Sequence, residues 1–270
     1  MSSEAPIGVF DSGIGGTTVV RELIARLPNE KIIYYGDTAR VPYGNKSAET
    51  IVTYSRQIAH FLISRGVKAI VIACNTASAI ALEVLRRELP VPVIGVVMPG
   101  AKAAARSTKN KKIGVIATRA TINSCIYEAY LQKTNPDIEV YKQACPLFVP
   151  LVEEGWINDD ITTQIIHRYI DNLLSKGIDS LVLGCTHYPL LADRIAEVAG
   201  PGVTLVNPAF ECAKDFRDVL EDNELLCTSD KPPVHEFYVS DGPIAFAKFA
   251  NAILGEGSIL PENVLIKCFE

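Results

Sequence analysis

The sequence predicts an α/β protein made of two pseudosymmetric α/β domains with mainly parallel sheets, because one strand-to-cysteine unit occurs twice. Residues 68–80 read KAIVIACNTASAI, and residues 179–191 read DSLVLGCTHYPLL. Each begins with an apolar run that shows little alternation, which is typical of a parallel strand buried on both faces, and then reaches a cysteine. The glycine-bearing strand at residues 7–10 has a similar echo at residues 113–116. The offsets of 113 − 7 = 106 and 185 − 74 = 111 residues are what two copies of one domain would give.

Composition and charge restrict the class of partner. The chain has 270 residues, of which 48% are hydrophobic and 21% charged, which is enough for two globular domains. The formal net charge of −5, with KNKK at residues 109–112 as the one cationic cluster, argues against a nucleic-acid or acidic-membrane partner. The first residues show no signal peptide and no apolar run reaches membrane-spanning length. We therefore expect a cytoplasmic protein whose seven irregularly spaced cysteines are reduced.

The first predicted strand runs into a glycine-rich turn, DSGIGG, at residues 11–16, which opens a helix that ends near residue 27. Glycines in such a turn let backbone N–H groups approach an anion. The turn lacks the Lys-Ser/Thr pair of a phosphate-binding P-loop. A site for a small carboxylate, a nucleotide site and a tight turn alone all remain open.

A second strand is predicted at residues 31–35, and it delivers Asp37 and then the turn that contains Tyr43 and Gly44. A helix follows at residues 48–65. Asp37 and Tyr43 suit a ligand site and local hydrogen bonds equally well, so the sequence leaves both open.

Cys74 is predicted to lie at the carboxyl end of a buried parallel strand, just before a helix placed at residues 79–89. Asn75 and Thr76 are candidate N-cap residues for that helix. Open α/β sheets bind ligands at this edge, and a helix N-terminus favours an anion or a thiolate. A lone cysteine in a strand is more often a small buried hydrophobe, but the second copy at Cys185 favours a reactive role.

The remaining elements complete the two halves. Strands are predicted at residues 91–96, 112–117, 139–142, 203–206 and 236–240, and helices at residues 101–106, 122–134, 160–176, 209–220 and 243–254. A Pro-punctuated apolar loop at residues 145–155 presents Glu153 and Glu154. The last elements have no counterpart in a two-copy scheme and are expected to pack onto the first half. This predicts one domain of residues 1–97 plus 208–270 and another of residues 98–207, with the active site in the cleft between them.

Two cysteines at matching positions of matching domains would face each other across that cleft. A thiolate on one face of a carbon acid and a thiol on the other can invert a stereocentre without a cofactor. The ordinary cysteine pKa of about 8.5 leaves little thiolate at neutral pH, so neighbours must assist. The sequence offers Asp11 for Cys74, and Glu153 or His187 for Cys185. Cys74, Cys185 and His187 could instead be metal ligands, but the spacing is poor for zinc.

Five motifs in order, DSGIGG, YYGDTARVPYG, ACNTAS, CPLFVPLVEEG and LGCTHYPLL, resemble the glutamate racemases of the aspartate/glutamate racemase family over nearly the whole chain. The resemblance implies a cofactor-independent enzyme that interconverts L- and D-glutamate and supplies D-glutamate for peptidoglycan. By match to the family's motifs it implies that the acid/base pair is Cys74 and Cys185, assisted by Asp11, Glu153 and His187, and that the substrate is bound by Asp11, Ser12, Tyr43, Gly44, Asn75, Thr76, Thr186 and His187.

Two departures from the family pattern are visible. Residues 206–209 read VNPA where many members resemble ID-S-G/A, which leaves the rim or hinge of the site open, and the short N-terminus lacks the extension of members regulated by a cell-wall precursor. Aspartate racemase is the alternative, but it usually resembles CNTAH and GCTE at the two cysteines, whereas Ser78 and His187 stand here. No lysine motif suggests pyridoxal phosphate. We expect a small-molecule substrate, no cofactor, no metal, and no nucleic-acid or membrane partner, with a homodimer left open.

Overall fold

A computed structural model describes residues 2–269 and shows two parallel β-sheets covered by helices. The strands are β1 Ile7–Asp11, β2 Ile32–Gly36, β3 Ala69–Ile72, β4 Val93–Gly95, β5 Lys112–Ala117, β6 Glu139–Ala144, β7 Ser180–Gly184, β8 Thr204–Val206, β9 Glu236–Val239 and β10 Val264–Ile266. The helices are α1 Thr17–Arg26, α2 Ala48–Ser64, α3 Asn75–Glu88, α4 Val97–Ser107, α5 Arg119–Asn123, α6 Ile126–Thr134, α7 Phe148–Glu153, α8 Asp160–Leu174, α9 Ala192–Ala199, α10 Pro208–Asp222 and α11 Pro243–Leu254. Within residues 2–269, none of these helices is both long and apolar enough to cross a membrane.

The two sheets repeat one strand order. The first is ordered β10-β9-β2-β1-β3-β4 and the second β6-β5-β7-β8, so that β2-β1-β3-β4 corresponds to β6-β5-β7-β8. β1 pairs in parallel with β2 and β3, as β5 pairs in parallel with β6 and β7. We call the part built on the first sheet the first half and the part built on the second sheet the second half. The predicted fold class, with its pseudosymmetry, is confirmed.

The glycine that is repeated in the two central strands has a packing reason. A Cβ on Gly8 of β1 would lie 3.1 Å from Leu62 Cδ1 of α2. A Cβ on Gly114 of β5 would lie only 2.6 Å from Ile178 Cδ1. The absence of a side chain at both positions therefore lets the covering layer pack directly on the central strand of each sheet.

The C-terminal elements join the first half, as expected. β9 pairs with β2 and β10 pairs with β9, both in parallel, while Phe216 of α10 is buried in the core under the first sheet. The domain boundaries at residues 97/98 and 207/208 stay a prediction. β10 was not predicted, because Leu265 and Ile266 are 46% and 60% exposed at the sheet edge and give the strand no core signal.

Two predictions were wrong at segments where a helix carries a proline in its first turn. Residues 145–155 are not a loop throughout, since α7 begins at Phe148 and has Pro150 in its first turn. α4 likewise begins at Val97 rather than residue 101, with Pro99 in its first turn. The N–H groups of a first turn have no intrahelical acceptor, so a proline removes no hydrogen bond there.

Two other helix predictions need correction. α3 begins at Asn75 rather than residue 79, because Cys74 itself is the N-cap and its Sγ accepts the N–H of Ala77 at 3.5 Å. The single helix predicted at residues 122–134 is two helices, α5 and α6. Cys125 separates them with a left-handed backbone at φ 54°, a conformation that interrupts a right-handed helix.

Candidate active site

A cavity of about 370 Å³ lies between the two halves, at the carboxyl ends of strands from both sheets. Cys74 follows β3 and Cys185 follows β7, which are equivalent strands, and both thiols line this cavity. The lining residues come from both halves and are Ser12, Gly13, Val41, Pro42, Tyr43, Gly44, Asn45, Cys74, Asn75, Thr76, Thr118, Arg119, Pro146, Val149, Pro150, Glu153, Cys185, Thr186 and His187. The structure thus brings together every site residue named from the sequence except Asp11, which lies behind the wall.

Cys74 is in a setting that favours the protonated thiol. Its side chain is 5% exposed, and the thiol donates a hydrogen bond to Ser12 Oγ at 3.4 Å. Burial raises the pKa of Cys74, and the nearby Asp11 charge adds to the rise, so that the pKa reaches about 12. The Ser12 contact and the Ala77 N–H oppose this rise only in part.

Asp11 acts on Cys74 through its charge, and Ser12 is the group hydrogen-bonded to the thiol. The Asp11 carboxylate is 1% exposed, and its Oδ2 accepts the N–H of Gly13 at 3.0 Å. Burial raises the pKa of Asp11, while the positive charge of His187 and the N–H groups of its own turn oppose the rise. Backbone N–H groups of the DSGIGG turn therefore donate to the carboxylate of the turn's own aspartate.

Cys185 is in the opposite electrostatic setting. His187 Nδ1 lies 3.9 Å from Cys185 Sγ, and His187 Nε2 lies 2.9 Å from Glu153 Oε1. Burial lowers the pKa of His187, but its hydrogen bonds to Cys185 and Glu153 outweigh burial and raise the pKa to about 10. An imidazolium therefore lies beside the Cys185 thiol at neutral pH. Glu153 is the most solvent-exposed of these three side chains, at 40%.

Neutral donors occupy the walls between the two thiols. The hydroxyl of Tyr127 donates to Asn75 Oδ1 at 2.6 Å, which fixes the orientation of the Asn75 amide at the cavity wall. The hydroxyls of Thr76, Thr118 and Thr121 form a cluster with oxygen separations of 2.9, 3.0 and 3.2 Å. The walls can therefore offer several hydrogen-bond donors to one small anionic molecule.

Thr118 and Arg119 line the cavity but were not predicted. The internal repeat contained the signal for the first of them. Adding the strand offset of 106 to Ser12 gives residue 118, the position after β5 that matches Ser12 after β1. Arg119 is the next residue and lies at the exposed start of α5.

Tyr43 has both of the roles that the sequence left open, since it lines the candidate ligand site and also makes a local hydrogen bond. It lines the cavity, and its hydroxyl donates to Asp37 Oδ2 at 2.5 Å. Asp37 also accepts from Arg40 and Ser240, so this carboxylate is occupied by local hydrogen bonds. Gly44 lets this loop approach the second half, because a Cβ there would lie 2.9 Å from Thr118 Cβ.

The departure at residues 206–209 forms a helix start. Asn207 caps α10, where its Oδ1 accepts the N–H of Ala209 at 3.0 Å, and Pro208 occupies the first turn. Asn207 also borders a small cavity behind Cys185.

All seven cysteines are free thiols. Among residues 2–269 no three His, Cys, Asp or Glu side chains are grouped to hold a metal ion.

Comparison with known proteins identifies the class. Residues 7–213 match the family model described as Asp/Glu/Hydantoin racemase, so the chain belongs to this family of racemases and is an isomerase. A glutamate racemase from Geobacter metallireducens is 49% identical over 249 residues, which are 92% of each chain. The structure of glutamate racemase from Francisella tularensis with D-glutamate superposes with a TM-score of 0.87, at 44% identity over 93% of this chain and 94% of that one. A glutamate racemase isoform from Bacillus anthracis gives a TM-score of 0.93, at 38% identity over 99% and 98% of the two chains.

Proposed function

We propose that this chain interconverts L- and D-glutamate without a cofactor, with Cys74 and Cys185 as the acid/base pair. One observation carries the proposal. Two thiols at equivalent strand ends of two equivalent sheets line one cavity of about 370 Å³, which suits a small molecule held between them. The relatives named as glutamate racemases support glutamate as that molecule.

The proposed reaction from L-glutamate starts at Cys185. Its thiolate takes the α-proton, the Cα–H bond breaks, and the electron pair stays on the substrate as a carbanion. The Cys74 thiol then gives its proton to the opposite face, which yields D-glutamate, a Cys74 thiolate and a Cys185 thiol. The reverse reaction starts with Cys74 as base.

The charges around the two thiols match the first of these directions. Burial and the nearby Asp11 charge keep Cys74 protonated, while a charged His187 lies beside Cys185. The proposed acid is therefore the thiol that stays protonated, and the proposed base for L-glutamate is the thiol beside the cation. Glu153 holds His187 charged through the 2.9 Å contact at Nε2.

Substrate choice is proposed to depend on a second carboxylate. Asn75, Thr76, Thr118 and Thr186 line the cavity with more donors than one α-carboxylate requires. Arg119 adds a cationic side chain at the cavity wall. A substrate without the side-chain carboxylate leaves some of these donors unpaired, so alanine should be a very poor substrate.

The same proposal extends to the cell. The product D-glutamate would supply peptidoglycan synthesis in the cytoplasm, as the family resemblance implies. The test is circular dichroism of L-glutamate incubated with the purified protein. Complete loss of the signal without added cofactor is expected, with alanine at least 100-fold slower. No change with L-glutamate, or equal rates with alanine, would refute the proposal.

A further inference from the structure

One buried hydrogen bond links the first half directly to the catalytic segment of the second. The hydroxyl of Thr18, on α1, lies 3.0 Å from the carbonyl oxygen of Thr186. Thr18 is fully buried, and Thr186 is 6% exposed. Thr186 stands between Cys185 and His187, the two residues whose side chains form the thiol–imidazole contact.

The Thr186 carbonyl needs a donor from outside its own turn, because the residue three positions later is a proline. A 3₁₀ helix spans Tyr188–Leu191. At its start the Cys185 carbonyl accepts the N–H of Tyr188, and the His187 carbonyl accepts the N–H of Leu190, each at 3.1 Å. The residue in the matching position for Thr186 is Pro189, which has no N–H. A buried carbonyl without a donor is costly, so another part of the chain has to supply one.

The Thr18 hydroxyl is placed to be that donor. It also lies 2.9 Å from the Gly15 carbonyl, but that carbonyl already accepts the Thr18 N–H at 3.0 Å. Gly15 allows the close approach, because a Cβ on it would lie 2.4 Å from Thr186 Oγ1 and 2.5 Å from the His187 ring. The N-terminus of α1 thus packs against the backbone of the Cys185–His187 segment.

We propose that Thr18 is a positioning residue, which holds the Thr186 carbonyl across the cleft and so keeps the Cys185 thiol aligned with the His187 ring. The inference rests on the proposed function, since it assigns Thr18 to the half of the site that handles L-glutamate. The Thr18 hydroxyl bonds to carbonyls rather than to a thiol, and Thr18 does not line the cavity, so its effect passes through the backbone of the segment. The Cys74 side does not depend on this contact.

The chain offers matched variants for the test. Thr18→Val and Thr18→Ala remove the hydroxyl, and Thr18→Ser keeps it. Thr17→Val is the control, because Thr17 is equally buried on the same helix but its hydroxyl donates only locally, to the Ile14 carbonyl at 2.9 Å. Pro189→Ala, added to Thr18→Val, restores an N–H that can reach the Thr186 carbonyl from within the turn.

Two readouts separate positioning from general stability. The first is the rate at which iodoacetamide alkylates each cysteine between pH 7 and 10, followed by mass spectrometry of the Cys74 and Cys185 peptides. The second is kcat and KM for L-glutamate. In Thr18→Val, Cys185 alkylation at pH 7.5 and kcat should each fall about ten-fold, with KM changed less than about three-fold. The pH profile of Cys185 alkylation should move to higher pH.

The other variants determine the interpretation. Thr18→Ala should behave like Thr18→Val, whereas Thr18→Ser and Thr17→Val should keep both readouts close to the parent, and Pro189→Ala should recover part of the loss. Unchanged Cys185 alkylation in both hydroxyl-free variants, or an equal fall at Cys74, would overturn the proposal. If the parent protein fails to racemise glutamate, the proposed function fails, yet the alkylation readout still decides the role of Thr18.

Discussion

Replacing His187 with asparagine removes the cation beside Cys185 and keeps a polar side chain in its place. Burial lowers the pKa of His187, but its contacts with Cys185 and Glu153 outweigh burial and raise that pKa to about 10. His187 Nδ1 lies 3.9 Å from Cys185 Sγ and His187 Nε2 lies 2.9 Å from Glu153 Oε1, so the ring bridges the thiol and the carboxylate. A hydrogen bond to a charged group contributes about 1.5–3 kcal/mol, and 2 kcal/mol corresponds to about 30-fold, so the Cys185 thiol should lose about that factor in reactivity when the ring is removed.

The assay is alkylation of Cys185 by iodoacetamide at pH 7.5, read by mass spectrometry. His187→Asn should slow it about 30-fold and should lower kcat with L-glutamate by a similar factor. The control is His167→Asn. His167 is exposed on α8, does not line the cavity, and pairs with Asp171 at 3.0 Å. Equal alkylation rates in His187→Asn and the parent would refute the claim that the His187 cation activates the Cys185 thiol.

Three further changes test other parts of the structure. Gly15→Ala introduces a Cβ about 2.5 Å from the imidazole ring that pairs with the second thiol, so kcat should fall about 100-fold or more in a steady-state assay. Tyr127→Phe removes the donor to Asn75 and should raise KM about three- to ten-fold in the same assay, and an unchanged KM would count against that wall as a substrate contact. Lys68→Met leaves Glu30, its partner at 2.6 Å, buried and unpaired, which should cost about 3–5 kcal/mol and lower Tm by roughly 10 °C. Adding Glu30→Gln should recover most of that loss in a thermal melt, and no recovery would argue against the ion pair as its cause.

The sequence was sufficient for the fold because the fold is repeated. Strands buried on both faces give apolar runs without alternation, and the same run occurs before Cys74 and before Cys185. The glycine of the central strand is repeated for a packing reason that acts in both halves, at Gly8 and Gly114. Such features are visible locally, so they could be predicted without knowledge of the tertiary structure.

What could not be predicted depends on contacts between distant segments. Thr118 looks like an ordinary N-cap residue in the sequence. Only its position in the second half, which corresponds to that of Ser12 in the first half, indicates that it lines the cavity. Thr18 lies 168 positions from its acceptor at Thr186, and nothing local distinguishes it from Thr17. The final strand, β10, has two of its three residues exposed, and it pairs in parallel with β9 at the edge of the sheet.

The central claim is that the two thiols serve opposite faces of one substrate, and exchange with solvent deuterium tests it most directly. Cys74→Ala and Cys185→Ala are incubated separately with each enantiomer of glutamate in deuterium oxide, and the α-proton signal is followed by NMR. We predict that neither variant racemises glutamate, that Cys74→Ala exchanges the α-proton of L-glutamate only, and that Cys185→Ala exchanges that of D-glutamate only. Racemisation by either variant, or exchange of the same enantiomer by both, would contradict the two-thiol account.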